Sequence, residues 1–305
     1  MSNILFGASG LAGSGIRRAL ETQMPGDYLT PRREEIDIYD QNQLENYIRL
    51  NTPETVIMAA GVVGGIKENI SKQANFLISN LNLNINILQA CLKYEVPRVL
   101  VIASSCIYPV EASQPLQVQD FLKGNPEPTN AGHAIGKTTA SWLIKFYREA
   151  YGLNWGTAIS SSLYGKEDDF SGKGHVIPGL IKRFAQSDGQ RIEKIWGSPH
   201  TLREFMFNDD LGSAVVTLLA QEQLPELVNV GSGEEVSMGD LVKKIAQHFN
   251  YSGEFEFDSS VPAGWPRRVV DSMLVKQMGW SPNIDLDTGL LKVIEHFRAN
   301  FASNL

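Results

Sequence analysis

"NILFGASGLAGSGIRRALETQM", residues 3–24, runs an apolar strand into a glycine-spaced turn and on into a helix. "NILFGA" has the length and apolar run of a buried strand, and the residues from Gly13 onward have helical composition. Gly7, Gly10 and Gly13 stand between them as G-x-x-G-x-x-G. Gly7 allows a tight turn, Gly10 lets backbone amides approach a pyrophosphate, and Gly13 lets helix and strand pack closely. A glycine-rich turn without a ligand reads the same way on the glycines alone. The strand before and the helix after turn the reading toward a dinucleotide site, with Ser9, Leu11 and Ala12 in the same turn.

Outward from this start the pattern repeats. "TVIMAA" and "RVLVIASS" are further strands rich in β-branched residues. Between them "NFLISNLNLNINILQACLKY" has helical length and an apolar stripe, although Asn80, Asn82, Asn84 and Asn86 are poor helix formers. Strand–helix alternation implies parallel strands with right-handed crossovers, hence a doubly wound α/β sheet of the Rossmann type. From about Gly165 the texture changes. "GKEDDFSGKGHVIPGL" is a polar loop leading into a helix, and "QRIEKIW", "ELVNVGSG" and "EFEFDSS" read as short strands. In "SMGDLVKKIAQHF", Ser237 and Asp240 resemble a capping pair. Residues 1–164 are expected to form mainly the dinucleotide-binding domain. Residues 165–305 are expected to form mainly a smaller substrate-binding region, the chain crossing between the two.

Composition narrows the function. The chain has 305 residues, 43% hydrophobic and 20% charged, enough for a large core and unlike a disordered chain. A net charge of −7 with no long basic run argues against nucleic acid as a partner. Cys91 and Cys106 make no disulfide framework. No signal-peptide pattern and no apolar run of membrane length occur, so a soluble cytoplasmic protein is expected, without a metal. After the second strand, near "DYLTPRREE", an NAD site usually carries an acidic residue for the ribose. Here Arg32 and Arg33 stand instead, suited to a 2′-phosphate, which favours NADP. The bland alternative is a solvated pair beside Glu34 and Glu35.

"GASGLAG", "AAGVVGGI", "SSCIYP", "EPTN", "SLYG", "GHVIPGLIKRF", "WGSPHTLREF" and "PRRVVD" occur in that order. Together they resemble the GDP-L-fucose synthases. These are bifunctional GDP-4-keto-6-deoxy-mannose 3,5-epimerase/4-reductases among the extended short-chain dehydrogenase/reductases. The resemblance covers essentially the whole chain. It implies NADP as cofactor and a GDP-sugar as substrate. It implies that Ser104 hydrogen-bonds the 4-keto oxygen, and that Cys106 and His175 are the acid/base pair of epimerisation. It implies that Lys137 holds the nicotinamide ribose, that Ser162 and Leu163 line the cofactor, and that Arg183, Trp196, Arg203 and Asp271 contact substrate. A homodimer is common in the superfamily. The chemistry fits: epimerisation needs two groups titrating near neutrality and a donor for the enolate oxygen, and a thiol and an imidazole can be tuned to that task. Without the resemblance, Cys106 reads as a small buried hydrophobe, His175 as a helix-capping loop histidine and the arginines as salt-bridge partners.

The sequence departs from the family at one place above all. The Tyr-x-x-x-Lys motif is His133-Ala-Ile-Gly-Lys137. Val62 stands at a lysine position, and Ser160, Ser161 and Ser162 replace Pro, Thr and Asn. Three readings follow. The favoured one is a nucleotide-sugar 4-ketoreductase, with or without epimerase activity, in which His133 donates the proton. The others are an epimerase without reduction and a catalytically silent nucleotide-sugar binding protein.

Overall fold

The computed structural model describes residues 3–172, 174–187, 193–258, 260 and 264–301. Lys173, Gln190, Arg191, Ile192 and Ser259, which fall within segments expected above as loop or strand, lie outside the described residues. The first strand and helix are β1 (Asn3–Phe6) and α1 (Leu11–Gln23), followed by β2 (Tyr28–Leu29), α2 (Gln41–Asn51) and β3 (Thr55–Met58). Next come α3 (Ile66–Ser71), α4 (Gln73–Lys93), β4 (Arg98–Ser104), α5 (Ala131–Tyr151) and β5 (Asn154–Ser160). The chain continues through β6 (Ser162–Tyr164), α6 (Val176–Gln186), β7 (Glu193–Trp196), β8 (Leu202–Phe207), α7 (Asn208–Leu219) and β9 (Leu227–Val230). It ends with β10 (Glu235–Ser237), α8 (Met238–Gln247), β11 (Phe255–Asp258), β12 (Arg267–Arg268), α9 (Met273–Gln277) and α10 (Leu286–Phe301).

Six strands pair in the order β2-β1-β3-β4-β5-β9, every pair parallel. Ile4, Leu5, Phe6, Val56, Ile57, Val99, Leu100 and Val101 are all buried. Helices cover both faces, so these strands carry unbroken apolar runs without polar alternation. The chain steps from β1 outward to β2 and then back across β1 to β3. That reversal is a topological switch point, where a crevice opens beyond the strands' carboxyl ends.

The last strand of this sheet comes from far along the chain. After β8 the chain runs through α7 and returns as β9 beside β5. A side-chain carbon on Gly15 of α1 would lie 2.0 Å from the Asn208 carbonyl oxygen, and one on Gly212 would lie 2.3 Å from that of Gly15. Only glycines permit this approach of α1 and α7. The rest of the second half forms smaller sheets. In one, β8 pairs with β6, β10 and β12; in the other, β11 pairs with β7. A separate core of Phe184, Phe205, Leu241, Ile245, Leu290 and Phe297 holds them against α6, α8 and α10.

Two local expectations meet a physical explanation. Ser237 accepts the Asp240 backbone N–H at 3.0 Å, as an N-cap should. The reciprocal arm differs: Asp240 accepts the Ser237 hydroxyl at 2.6 Å, its side chain being one methylene shorter than the glutamate of a capping box. In α4 three of the asparagines bond outside the helix. Asn80 donates to the Val62 carbonyl and accepts its N–H, Asn84 donates to Gly136, and Asn86 donates to Ile38 and Tyr39. They give up helix propensity to fix neighbouring loops and α5.

Candidate active site

A cleft of about 800 Å³ lies between the sheet's carboxyl edge and the smaller region. Its floor is the turn after β1. Gly7 has φ +84°, and a side-chain carbon there would come within 2.5 Å of the Ala60 nitrogen. One on Gly13 would lie 2.0 Å from the Gly7 carbonyl oxygen. Gly10 N-caps α1 without any side-chain bond, so the first N–H groups of the helix stay available, and Gly10, Leu11 and Ala12 line the cleft. Donors without side chains, at a helix N-terminus, fit a pyrophosphate. Ser9 is exposed beside them. Arg32 and Arg33 are exposed just beyond β2, which pairs with β1. Among the described residues no carboxylate pairs with either guanidinium. Glu35 instead accepts the Arg32 backbone N–H.

The sheet's carboxyl edge supplies the reacting groups. Ser104 ends β4, and Cys106 follows in the 3₁₀ turn Ser105–Ile107. Both line the cleft. Burial pushes the Cys106 thiol up, while Arg268, the Ser104 hydroxyl and Lys137 pull it back toward ionisation. Lys137 is buried on α5 and donates to the carbonyls of Ala60 at 2.9 Å and Ile102 at 3.1 Å. Burial lowers it to about 8, so it is still mostly an ammonium at neutral pH. It has a third N–H beyond those two bonds. Gly61 leaves it room: a side-chain carbon there would lie 3.1 Å from Nζ.

His133 lies one turn before Lys137 on the same helix, 7% exposed and lining the cleft. Its Nδ1 is 3.0 Å from the Val62 carbonyl oxygen. A carbonyl only accepts, so Nδ1 carries the hydrogen. The same oxygen accepts from Asn80 Nδ2 at 2.8 Å, which holds it in place. Burial, then the Lys137 charge, drive the imidazole down to about 4 against the help of Val62. At neutral pH His133 is therefore neutral, and its remaining nitrogen, Nε2, is an acceptor. This differs from the expected donation of a proton by His133, and the reason is the environment: a desolvated ring beside an ammonium does not hold a second proton.

His175 precedes α6 as its N-cap residue but makes no capping bond. Its Nδ1 pairs with Asp168 Oδ1 at 3.0 Å, and its side chain is 41% exposed while that of Asp168 is 3% exposed. Burial lowers the imidazole, but the Asp168 hydrogen bond and charge outweigh it and the net shift is upward. The serines after β5 are also in the lining. Ser160 donates to Ala103, Ser161 Oγ is buried with no partner among the described residues, and Ser162 accepts from Arg268 Nη2 at 3.1 Å. Leu163 lines the cleft beside them.

Arg183, Trp196 and Arg203 lie on its far side. Arg203 donates to the Leu202 and Trp265 carbonyls, and burial, then Arg268, bring it down to about 9 against Glu127. Arg183 donates to the Lys194 carbonyl. Asp271 is not in the lining; its carboxylate accepts the Met273 N–H at the start of α9. Sequence reasoning missed several lining groups. Arg268 stands next to Arg267 in a quoted motif. Glu127 accepts the Thr129 hydroxyl, and Lys67 lies 4.2 Å over the Trp196 ring, joining the two walls. Asp168 sits in a run of acidic residues, which gives no sign of its burial.

The comparisons agree with this geometry. Residues 4–231 match the family described as "NAD dependent epimerase/dehydratase family". The GDP-L-fucose synthase of Sinorhizobium fredii is 35% identical over 98% of this chain and 96% of its own. The GDP-L-colitose synthase of Yersinia pseudotuberculosis is 33% identical over 97% and 98%. Among solved structures, a GDP-mannoheptose C4 reductase from Campylobacter jejuni with NADP bound superposes with a TM-score of 0.86. It is 22% identical, and the match covers 97% of this chain and 98% of that one. The glycine turn, the parallel sheet and 33–35% identity to these relatives over nearly the whole chain together assign it to the NAD dependent epimerase/dehydratase family, among the GDP-L-fucose synthases.

Proposed function

We propose that the protein is an NADPH-dependent 4-ketoreductase of a GDP-linked 4-keto-6-deoxy sugar, with 3,5-epimerase activity at the same site. The observation that carries it is one cleft that gathers the glycine turn, Ser104, Cys106, Lys137 and His175. NADPH, when bound, supplies the hydride for the carbonyl carbon. Gly10, Leu11 and Ala12 would hold its pyrophosphate, and Arg32 and Arg33 its 2′-phosphate. Arg183 and Arg203 would meet the nucleotide diphosphate of the substrate. Ser104 donates to the 4-keto oxygen, which accumulates charge in both reactions.

The two reactions take their protons from different groups. In epimerisation Cys106, once it has given up its own proton, removes the proton beside the ketone, and the His175 imidazolium returns one on the other face. In reduction the oxygen at C4 must gain a proton. Of the two groups on α5, only Lys137 carries a proton to give at neutral pH, so we assign it as the source, through Ser104 or a water. His133 Nε2 accepts a hydroxyl hydrogen and orients it. Reduction should fall as pH rises through about 8 and survive His133→Asn within about tenfold, because the pKa of Lys137 is about 8.

The test is incubation with GDP-4-keto-6-deoxy-mannose in heavy water, with and without NADPH. NADPH loss reports reduction, and deuterium at C3 or C5 reports epimerisation. NADPH loss that stops with His133→Asn would return the proton to His133. Deuterium uptake without NADPH loss would leave an epimerase, which the neutral state of His133 favours as the second reading. We also propose a cytoplasmic homodimer. Among the described residues no helix is long and apolar enough to cross a membrane. Ile78 of α4 and Ile135 and Phe146 of α5 are exposed apolar groups on packed helices, where a second copy would cover them.

A further inference from the structure

We propose that Asp168 is a positioning residue for His175, fixing the imidazole with its hydrogen on Nδ1 and keeping Nε2 as the nitrogen that serves the cleft. The inference rests on the reading of His175 as the proton donor of epimerisation. It stands on geometry first. Nδ1 and Asp168 Oδ1 are 3.0 Å apart. A carboxylate accepts, so Nδ1 donates, and the ring that pivots on this bond has Nε2 left for the substrate. Asp168 cannot relax away easily, because its side chain is buried to 3% exposure. Oδ1 also accepts the Asp169 N–H at 2.9 Å.

The other oxygen makes the pairing functional. Among the described residues Asp168 Oδ2 is buried without a hydrogen-bond partner. A buried carboxylate with an unsatisfied oxygen is costly unless a cation compensates its charge. His175 is bonded to it, so the protonated ring, not the neutral one, completes the arrangement. Other charges act on the same ring. Asp169 from the same loop favours the imidazolium, and Arg268 from β12 opposes it. His133 on α5 is near enough for the two rings to disfavour each other's protonation. Among the described residues Asp168 is the charged group in direct contact, and it sets the balance.

The loop that carries Asp168 is itself anchored. Glu167 accepts from Arg18 of α1 at 2.5 Å and from Asn208 Nδ2 at 2.9 Å. Arg18 also bonds Asp209 at 2.7 Å, and Asn208 donates to the Leu11 carbonyl at 2.8 Å. Asp168 is thus held by the residue before it, on one side, and by its own burial on the other.

The test uses the full chain labelled with ¹⁵N in its histidine rings, the His175 signal being identified by its loss in His175→Asn. The natural protein should give an Nδ1–H signal and a protonation midpoint above the ordinary imidazole range. Asp168→Asn and Asp168→Ser should each lower that midpoint by about one pH unit or more, a tenfold loss of proton affinity. Asp168→Glu should recover part of it. Deuterium uptake at the sugar carbon should decline in Asp168→Asn with the same midpoint, while NADPH affinity stays within about twofold. An unmoved midpoint overturns the proposal, as does a variant in which NADPH affinity collapses together with uptake. If neither variant folds, the natural protein decides: absence of the Nδ1–H signal overturns the proposal and its presence with the raised midpoint supports it. A midpoint that moves as expected in a protein showing no deuterium uptake supports the pairing and removes the epimerase reading beneath it.

Discussion

Replacing His133 with asparagine separates a buried neutral imidazole from a proton donor without touching the cofactor's cradle. Asparagine keeps an N–H for the Val62 carbonyl and has no proton to gain. In the folded protein His133 titrates at about 4, against 6.5 for a free imidazole. Unfolded chains therefore bind a proton between these values that folded chains do not, and stability falls as pH falls through that window. It is fully present above 6.5. The difference of about 2.5 pH units sets the ceiling at about 3 kcal/mol. At pH 5 about 2 kcal/mol is already lost. With an m-value of about 3 kcal/mol per molar urea for a chain of this size, the unfolding midpoint drops by about 0.7 M between pH 7 and pH 5 from this group alone. The assay is urea unfolding of the natural protein and His133→Asn at both pH values. Carboxylates titrate alike in the two proteins and cancel, so the difference of differences isolates His133. Equal acid losses in the two would refute the neutral buried ring, and with it the assignment of the reductive proton to Lys137.

Three further outcomes follow from the site. Arg32→Ser with Arg33→Ser should cost NADPH about tenfold or more in affinity and leave NADH unchanged, measured by fluorescence titration, because charge-assisted phosphate contacts are lost. Cys106→Ser should slow deuterium uptake by about 10² to 10⁴ while NADPH still binds, read by mass spectrometry of the sugar. Gly13→Ala should abolish tight NADPH binding and lower the melting temperature, since its side-chain carbon would sit 2.0 Å from the Gly7 carbonyl oxygen and backbone must move.

The glycine turn and the parallel sheet were legible because they rest on local rules: an apolar strand, a backbone that only glycine can form, then a helix. Ser104, Cys106 and Lys137 were singled out through the family resemblance, and they stand at the end of β4, in the turn after it and on α5. What the sequence hid was long-range. The return of β9 beside β5 depends on the Gly15–Gly212 approach, between residues almost two hundred positions apart. The protonation of His133 could not be read from its spacing to Lys137 alone, since burial is the larger cause and Val62 and Asn80 come from other elements. Asn80, Asn84 and Asn86 of α4 were the available signal. Poor helix formers on a helix mark side chains with bonds to make elsewhere. Asp271, a carboxylate in a family motif, accepts the Met273 backbone N–H and stands outside the cleft lining, which its place in the motif did not indicate.

The bonds from Arg18 and Asn208 to Glu167 place α1 and the Asp168 loop in one mechanical unit. In the proposed reading the amino end of α1 meets the cofactor's charge, and the loop's next residue sets the proton of His175. Thermodynamic reciprocity then binds the two occupancies. Whatever NADPH does to the proton affinity of His175, that proton does in equal measure to the affinity for NADPH. The pH dependence of the cofactor's dissociation constant, measured with no sugar present, therefore gives the size of that coupling.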